Sequence, residues 1–593
     1  MATNTYDLTW DLDVFFEGGS ASHAFTEHLE NVKKQLDAFE SVVETWSIPS
    51  ASDDQSLTEL LQFFQTTAQN IRQAGAFVSC LQAQDTSDTR ANELRGMVTT
   101  LSSKLSTILT GFDEKLSSID EHTWNGLLEQ EALKELHFIL NERRKNAAEK
   151  LPKEQEALIN ALSIDGYHGW GEMYDTIVSQ VKIPFEDALL SVGQAENKFS
   201  SPDRKVRKEI FAEWKKAWDQ HSDTLAATLN HLSGFRLSVY KQRGWDHILK
   251  EALTYNRMKQ ETLDVMWEVI SDHKQPFADF LKKKAELLGV EKLSWADLDA
   301  PVGNVETTYN YQEGAQFILK HFEQFGDELT SFTKKSFEDR WIEAEDRPGK
   351  RPGGFCTSFP VSKQSRIFMT YSGTPSNVST LAHELGHAFH SFAMKDTHPL
   401  NRSYAMNVAE TASTFAEMIV SDAAVNNAEN EEEKLALLED KIQRSVALFM
   451  NIHARYLFET RFYEERKNGM VSKARLNELM ESAQREAYAD SLSEYHPLFW
   501  GSKLHFFITG VPFYNFPYTF GYLFSLGIYA QAVKEGKGYE KKYMAMLEDT
   551  GSMMVEDLAM KHLGVDLTKR EFWEEGVKLC IKDVEEFMEM VGK

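Results

Sequence analysis

Along most of its length the chain repeats apolar residues three and four apart among charged ones, as in SLTELLQFFQTTAQNIRQAGAFVSCL (56–81) and ETLDVMWEVISDHKQPFADFLKKKAELL (261–288). A stripe of that period is the buried face of an α-helix, so the expected fold is mainly α, built from many helices. Breaks fall where turn residues collect: IPSASDDQ (48–55), FSSPDRK (199–205), LDAPVGN (298–304) and DRPGKRPGG (346–354). The SSPD segment carries a helix-start signature, which places a boundary near residue 200. An N-terminal helical domain (1–200) and a larger domain (201–593) are expected.

One region departs from the helical period. After the Pro/Gly-rich loop, FCTSFP (355–360) and RIFMTY (366–371) are short, aromatic and β-rich, joined by VSKQS. They predict a small hairpin just ahead of the chemically most informative segment.

Composition bounds the partners. The 64 basic and 91 acidic side chains give a formal charge of -27, which repels phosphate backbones and anionic membrane surfaces, so neither nucleic acid nor membrane is an expected partner. Cys80, Cys356 and Cys580 are few, odd in number and far apart, which suits a reducing compartment rather than a disulfide scaffold. With no basic-then-apolar start and no run of about 18 apolar residues, a cytoplasmic location is expected. Oligomeric state is not legible.

The segment VSTLAHELGHAFHSFAMK follows Thr374-Pro375-Ser376-Asn377, where a Ser or Asn cap would open a helix. Within it stand His383, Glu384 and His387. Residues four apart lie one turn above each other, so the two imidazoles can converge on one ion with Glu384 beside them. Chance would place such a pattern about 0.05 times in a chain with this histidine content. A catalytic zinc needs a third protein ligand and an open position. A third histidine at position 393 is ruled out by Ala393. His390 shares the helical face but lies about 10 Å from His383 along the axis, which suits packing better than ligation. Glu410, in SYAMNVAETASTFAEMIVSD (403–422), is the better candidate: it follows His387 by enough chain for a turn and an antiparallel return. Glu417, seven residues on, can orient a ligand histidine or form a surface pair. One Zn2+ per chain is the expected cofactor.

HELGHAFHS followed by NVAETASTFAE, preceded by GKRPGGFCTSFP and followed by EYHPLFWGSKLHFF and FYNFPYTFGYLF, resembles oligoendopeptidase F and its thimet-oligopeptidase relatives over about 200–590. That resemblance implies an elongated helical enzyme with a deep substrate channel that takes short peptides and excludes folded proteins. It puts His383, His387 and Glu410 at the zinc positions and Glu384 at the catalytic carboxylate. It also points to His505, Tyr514, Tyr518 and Tyr522 as residues lining the site, although FYNFPYTFGY departs from the family's usual spelling and leaves their individual roles open.

The expected function is therefore a zinc-dependent endopeptidase that hydrolyses internal bonds of oligopeptides with metal-activated water and Glu384 as general base. The hairpin edge could align an extended substrate, with Gly353 and Gly354 allowing close approach, and Cys356 would be at most a site of thiol sensitivity. The rival readings are a zinc exopeptidase removing dipeptides and an inert acidic helical binding protein.

Overall fold

The periodic segments fold as helices. A computed structural model describes residues 5–50, 54–303, 308–351 and 353–592 of the chain, which is 71% helical with only small sheets. Residues 1–4 of the N-terminal reading and 51–53, 304 and 352 of the turn-rich segments lie outside the described residues. Helices α1 (His23–Thr45), α2 (Gln55–Gln84) and α3 (Thr89–Ser117) pack together at the N-terminal end. Side chains start two of them: Ser22 accepts the Phe25 N–H and Asp88 the Ala91 N–H. Their apolar faces bury Leu36, Phe39, Leu60 and Phe112 in one core. In a second core Phe25, Phe77 and Val98 meet Phe359 and Phe368 of the predicted hairpin.

Apolar packing runs through the boundary expected near residue 200. Tyr174 and Ile177 of α4 (Gly169–Gln180), and Ile183 of a short hairpin of β1 (Ile183–Phe185) and β2 (Ala188–Leu190), share the largest core with Trp214 and Trp218 of α5 (Arg204–Asp219). Asp203 caps α5 by accepting the Lys205 N–H at 2.8 Å, the start that SSPD announces. The 261–288 stretch is two helices, α6 (Gln260–Asp272) and α7 (Gln275–Leu287). Pro276 lies in the first turn of α7, where its missing N–H leaves no helical bond unmade.

The hairpin forms and gains a strand. β3 (Ile342–Glu343) lies parallel to β5 (Gln364–Phe368), and β4 (Phe355–Phe359) lies antiparallel to β5 in the register Phe355↔Phe368 to Phe359↔Gln364. Lys363, with φ 51, closes the turn. The order β3-β5-β4 leaves β4 as an edge among the described residues. The Pro/Gly loop ahead of β4 is tied down by Lys350, which donates to the carbonyls of Glu345 (2.7 Å) and Met369 (2.8 Å) and pairs with buried Glu343 (3.3 Å). Those bonds fix where Gly353 and Gly354 enter the strand.

Candidate active site

The His-Glu-x-x-His segment is helical. α8 (Pro375–Ala393) is capped by Thr374 rather than Ser or Asn: its hydroxyl accepts the Asn377 N–H at 3.2 Å and the Asn377 side chain reaches back to the Thr374 N–H. Pro375 fits the first turn. One helical turn apart, the His383 and His387 rings lie 4.9 Å apart at 86° to each other.

The third ligand candidate arrives from α9 (Thr411–Asn426), which packs closely against α8. Gly386 permits this contact. A Cβ there would lie 2.4 Å from the Ala412 carbonyl oxygen and 2.6 Å from Ser413 Cα, far inside contact distance. Glu410, the residue that opens α9, is steadied by the Ser413 hydroxyl, which donates to its Oε2 at 2.8 Å. The same oxygen stands 3.3 Å from His383 Nε2 and 3.5 Å from His387 Nε2. Those separations are long for hydrogen bonds. They match the roughly 3.3–3.4 Å edges of a tetrahedron whose corners sit about 2.0–2.1 Å from one ion. One atom from each of His383, His387 and Glu410 lies within 4.8 Å of the others, and these three form the cluster of metal-ligating side chains found among the described residues. The donor set, two imidazoles and a carboxylate, suits zinc.

A further layer orients the first. Glu417 Oε2 meets His383 Nδ1 at 3.2 Å, and its other oxygen pairs with Arg444 of α10 (Glu431–Val446). Burial works against charge on the His383 ring, but the Glu410 and Glu417 carboxylates at its two nitrogens outweigh it and lift it to about 10. Burial, only partly opposed by Glu410, lowers His387 to about 4. Burial would raise Glu410, yet the two histidines and Ser413 hold it down at about 2. This carboxylate-rich pocket requires positive charge at its centre. His390 takes no part: it is fully buried, its Nε2 sits 2.8 Å from Thr550 Oγ1 and its ring stacks on Tyr404 at 4.1 Å.

Glu384 is 7% exposed, and its buried Oε2 has no hydrogen-bond partner. Burial pushes its carboxyl up to about 7, with His383 opposing and Glu410 reinforcing the rise. The entry to β4 crosses directly over it: a Cβ on Gly354 would lie 3.5 Å from Glu384 Oε1 and 3.2 Å from the Phe368 carbonyl. The Cys356 thiol, on the same strand, is driven well above its ordinary range by burial and by the Glu384 charge, which opposes thiolate chemistry.

The peptidase family M3 model matches residues 199–579, and the Oligopeptidase F model matches 115–182. The chain belongs to peptidase family M3. It is a peptidase. It is 23% identical over 602 residues to an oligoendopeptidase F homolog of Lactococcus lactis subsp. lactis (strain IL1403), covering 99% of this chain and 98% of that one. Its fold is shared by a putative peptidase from Chlamydophila abortus (TM-score 0.82, 19% identity, 98% of each chain). Oligoendopeptidase-F from Enterococcus faecium also shares it (TM-score 0.70, 19% identity, 96% of this chain and 99% of that one).

In this M3 peptidase the C-terminal aromatic segment divides. α12 (Phe516–Glu535), reached after α11 (Ile452–Arg466), crosses α9 at Gly521, where a Cβ would lie 3.0 Å from the Asn407 carbonyl and 3.3 Å from Glu410 Cβ. Tyr518, one turn earlier, is raised first by burial and then by Tyr514 and the Glu410 charge. The rings of His505, Tyr514 and Tyr518 form one cluster with centroids 5.6, 6.0 and 5.7 Å apart. Burial, with Arg455 and Lys503 adding to it, lowers His505 to about 4, so the ring is neutral. Tyr522 goes elsewhere. Its hydroxyl is in the core, 3.0 Å from Ser445 Oγ and 3.5 Å from Cys580 Sγ, so it turns away from His383, His387 and Glu410. Sequence reasoning missed Ser413, Arg444 and Gly386. Ser413 has a signal, its place three residues after Glu410; Arg444 has none, because its pairing with Glu417 depends on how α9 and α10 pack.

Proposed function

We propose that this chain is a zinc-dependent endopeptidase acting inside short oligopeptides, with one zinc held by His383, His387 and Glu410. The observation that carries the proposal is that Glu410 Oε2 stands at tetrahedral-edge distances from both imidazole nitrogens, beside a buried carboxylate oxygen, Glu384 Oε2, that has no partner of its own. Zinc, when bound, polarises a carbonyl and acidifies water. Glu384 supplies the proton chemistry: it takes a proton from the attacking water and delivers it to the leaving amine. His505 and the Tyr514–Tyr518 pair, on the Glu410 side, are the donors for charge developing on the carbonyl oxygen. Tyr522 has no part in this assignment. On the opposite flank, the edge of β4, unpaired by any strand among the described residues, gives an extended peptide a strand to pair with beside Glu384. The acidic composition and the three scattered cysteines favour a cytoplasmic peptide-degrading role, and among the described residues no helix is long and apolar enough to cross a membrane.

Metal content should be measured together with cleavage of an internally quenched peptide blocked at both ends, before and after chelation and zinc return. One zinc per chain and chelator-reversible internal cleavage are expected. Cleavage of unblocked peptides alone would move the reading to an exopeptidase, and absence of both zinc and cleavage would overturn it. Glu384→Gln should keep the zinc and lose turnover by a factor on the order of 10²–10⁴. Turnover near the wild-type level would remove Glu384 from the role of base.

A further inference from the structure

A half-buried guanidinium lies near the proposed reaction centre. Arg455 on α11 donates through Nε to Asn451 Oδ1 at 2.8 Å and through Nη1 to Asn515 Oδ1 at 3.4 Å, and its plane lies over the Phe499 ring, 5.3 Å from the centroid. Two amides and an aromatic ring hold it still, and none of them carries a negative charge. Among the described residues no carboxylate comes within ion-pair distance of it. The other cation nearby, Lys503, is paired with Glu196 at 3.0 Å. An arginine held rigidly with open N–H groups is preorganised for a bidentate carboxylate.

The open groups face a cavity of about 220 Å³ whose walls include Arg455, Asn451, Tyr488, Phe499, Lys503 and Asp299. Two carboxylates share that wall: Glu196, which is paired with Lys503, and Asp299, which is exposed to solvent; neither is within ion-pair distance of Arg455. The wall is also irregular. Residues Ala447–Asn451 form a π-helical turn ahead of α11, and the Leu448 carbonyl accepts from the Thr519 hydroxyl of α12 at 2.7 Å. Such turns displace a helix face, and here the turn sets the angle from which Asn451 and Arg455 enter the cavity.

A chain of contacts links Arg455 to the His383, His387 and Glu410 cluster. Asn515, which Arg455 contacts, immediately precedes α12, and six residues later Gly521 lies against Glu410. At 1.5 Å per residue that is about 9 Å along the helix, the span of roughly three extended residues at about 3.3 Å each. His505 and Tyr518 both lie close enough to feel the Arg455 charge, and Tyr518 also feels that of Glu410.

From this we infer that Arg455 forms a subsite for a carboxylate of the peptide substrate, placed about three residues from the bond that is cut. The inference rests on the peptidase reading above and narrows its substrate class. Two sources share the chemistry: the terminal carboxylate of a short peptide, and an acidic side chain within a longer one.

The test uses zinc-loaded full-length protein and N-terminally blocked, quenched peptides that leave one to four residues after the cleaved bond, each made as the C-terminal acid and the amide. A parallel amidated set carries Glu or Gln at the third position. A carboxylate should lower KM roughly ten- to hundredfold at the matching length, with a much smaller change in kcat. The first set reads the terminal carboxylate, the second an acidic side chain, and a preference in either supports the subsite. In R455Q the acid-to-amide ratio should fall to near one, and R455K should restore part of it. Equal KM for every acid–amide and Glu–Gln pair in the wild type overturns the inference without needing a variant, as does a preference that survives in R455Q. If no peptide is cut, the peptidase reading fails, and binding of the same acid and amide peptides, followed by fluorescence polarisation, still decides whether Arg455 selects a carboxylate.

Discussion

Glu417 Oε2 stands 3.2 Å from His383 Nδ1, on the ring nitrogen opposite the one that faces Glu410. A carboxylate in that position fixes which nitrogen carries the proton and leaves Nε2 as the free donor for a metal. Arg444 holds Glu417 from behind, so the orientation extends from α10 through α9 to α8. Replacing Glu417 by Gln keeps the shape and removes the charge. Zinc affinity, read by competition with a chromophoric chelator, should weaken roughly 10–100-fold while helical content stays constant. An unchanged affinity would reduce Glu417 to a partner of Arg444 alone.

Gly386 separates two expectations that pull in opposite directions. On an isolated helix, Gly386→Ala would stabilise by about 1 kcal/mol. Here the new methyl would meet the α9 backbone at 2.4–2.6 Å, and backbone cannot swing aside as a flexible side chain can. α9 would have to shift, and Glu410 with it. The variant should lose on the order of 1–3 kcal/mol of stability in urea and hold zinc less tightly than the wild type. A more stable variant with normal zinc binding would mean that the two helices are not in this contact.

What could be read from the sequence follows from how local each feature is. The histidine pair needs only a helix, and a helix announces itself by its period. Glu410 needs only one return of the chain. The hairpin was visible because Phe355–Phe359 and Gln364–Phe368 are enriched in strand-forming residues. β3 was not, because a two-residue strand has no pattern and exists only by pairing with β5. Arg444 and Arg455 were equally hidden, since each gains meaning from partners that lie far away in sequence or on another element.

The tyrosines show the same limit from the other side. Tyr518 and Tyr522 are one turn apart on α12, yet four residues also mean about 40° of rotation and 6 Å of travel. That displacement carries Tyr522 past the site and onto Ser445 and Cys580. Tyr518→Phe should therefore lower kcat by a factor on the order of 10²–10³ with zinc content intact. Tyr522→Phe should leave kcat within a few-fold and reduce stability by about 1 kcal/mol, seen as a lower urea midpoint. The reverse pattern would mean that their positions are exchanged in function.

Glu459 on α11 gives a pH signature away from the proposed metal site. It is 3% exposed and accepts a 3.3 Å bond from Asn515 Nδ2, the same residue whose oxygen contacts Arg455. Burial raises its carboxyl to about 7, against the pull of Arg236 and Asn515. The folded protein thus keeps a proton that the unfolded chain releases near its ordinary value of 4.5. Between those two pH values the folded state binds more protons, so stability must fall as pH rises and level off above about 7. Glu459→Gln removes that slope. Urea unfolding from pH 5 to pH 8 should show the variant gaining on the wild type by an amount of order 3 kcal/mol across the window. If the difference between the two proteins stays constant with pH, Glu459 ionises as readily when folded as when unfolded, and some charge or solvent must reach it.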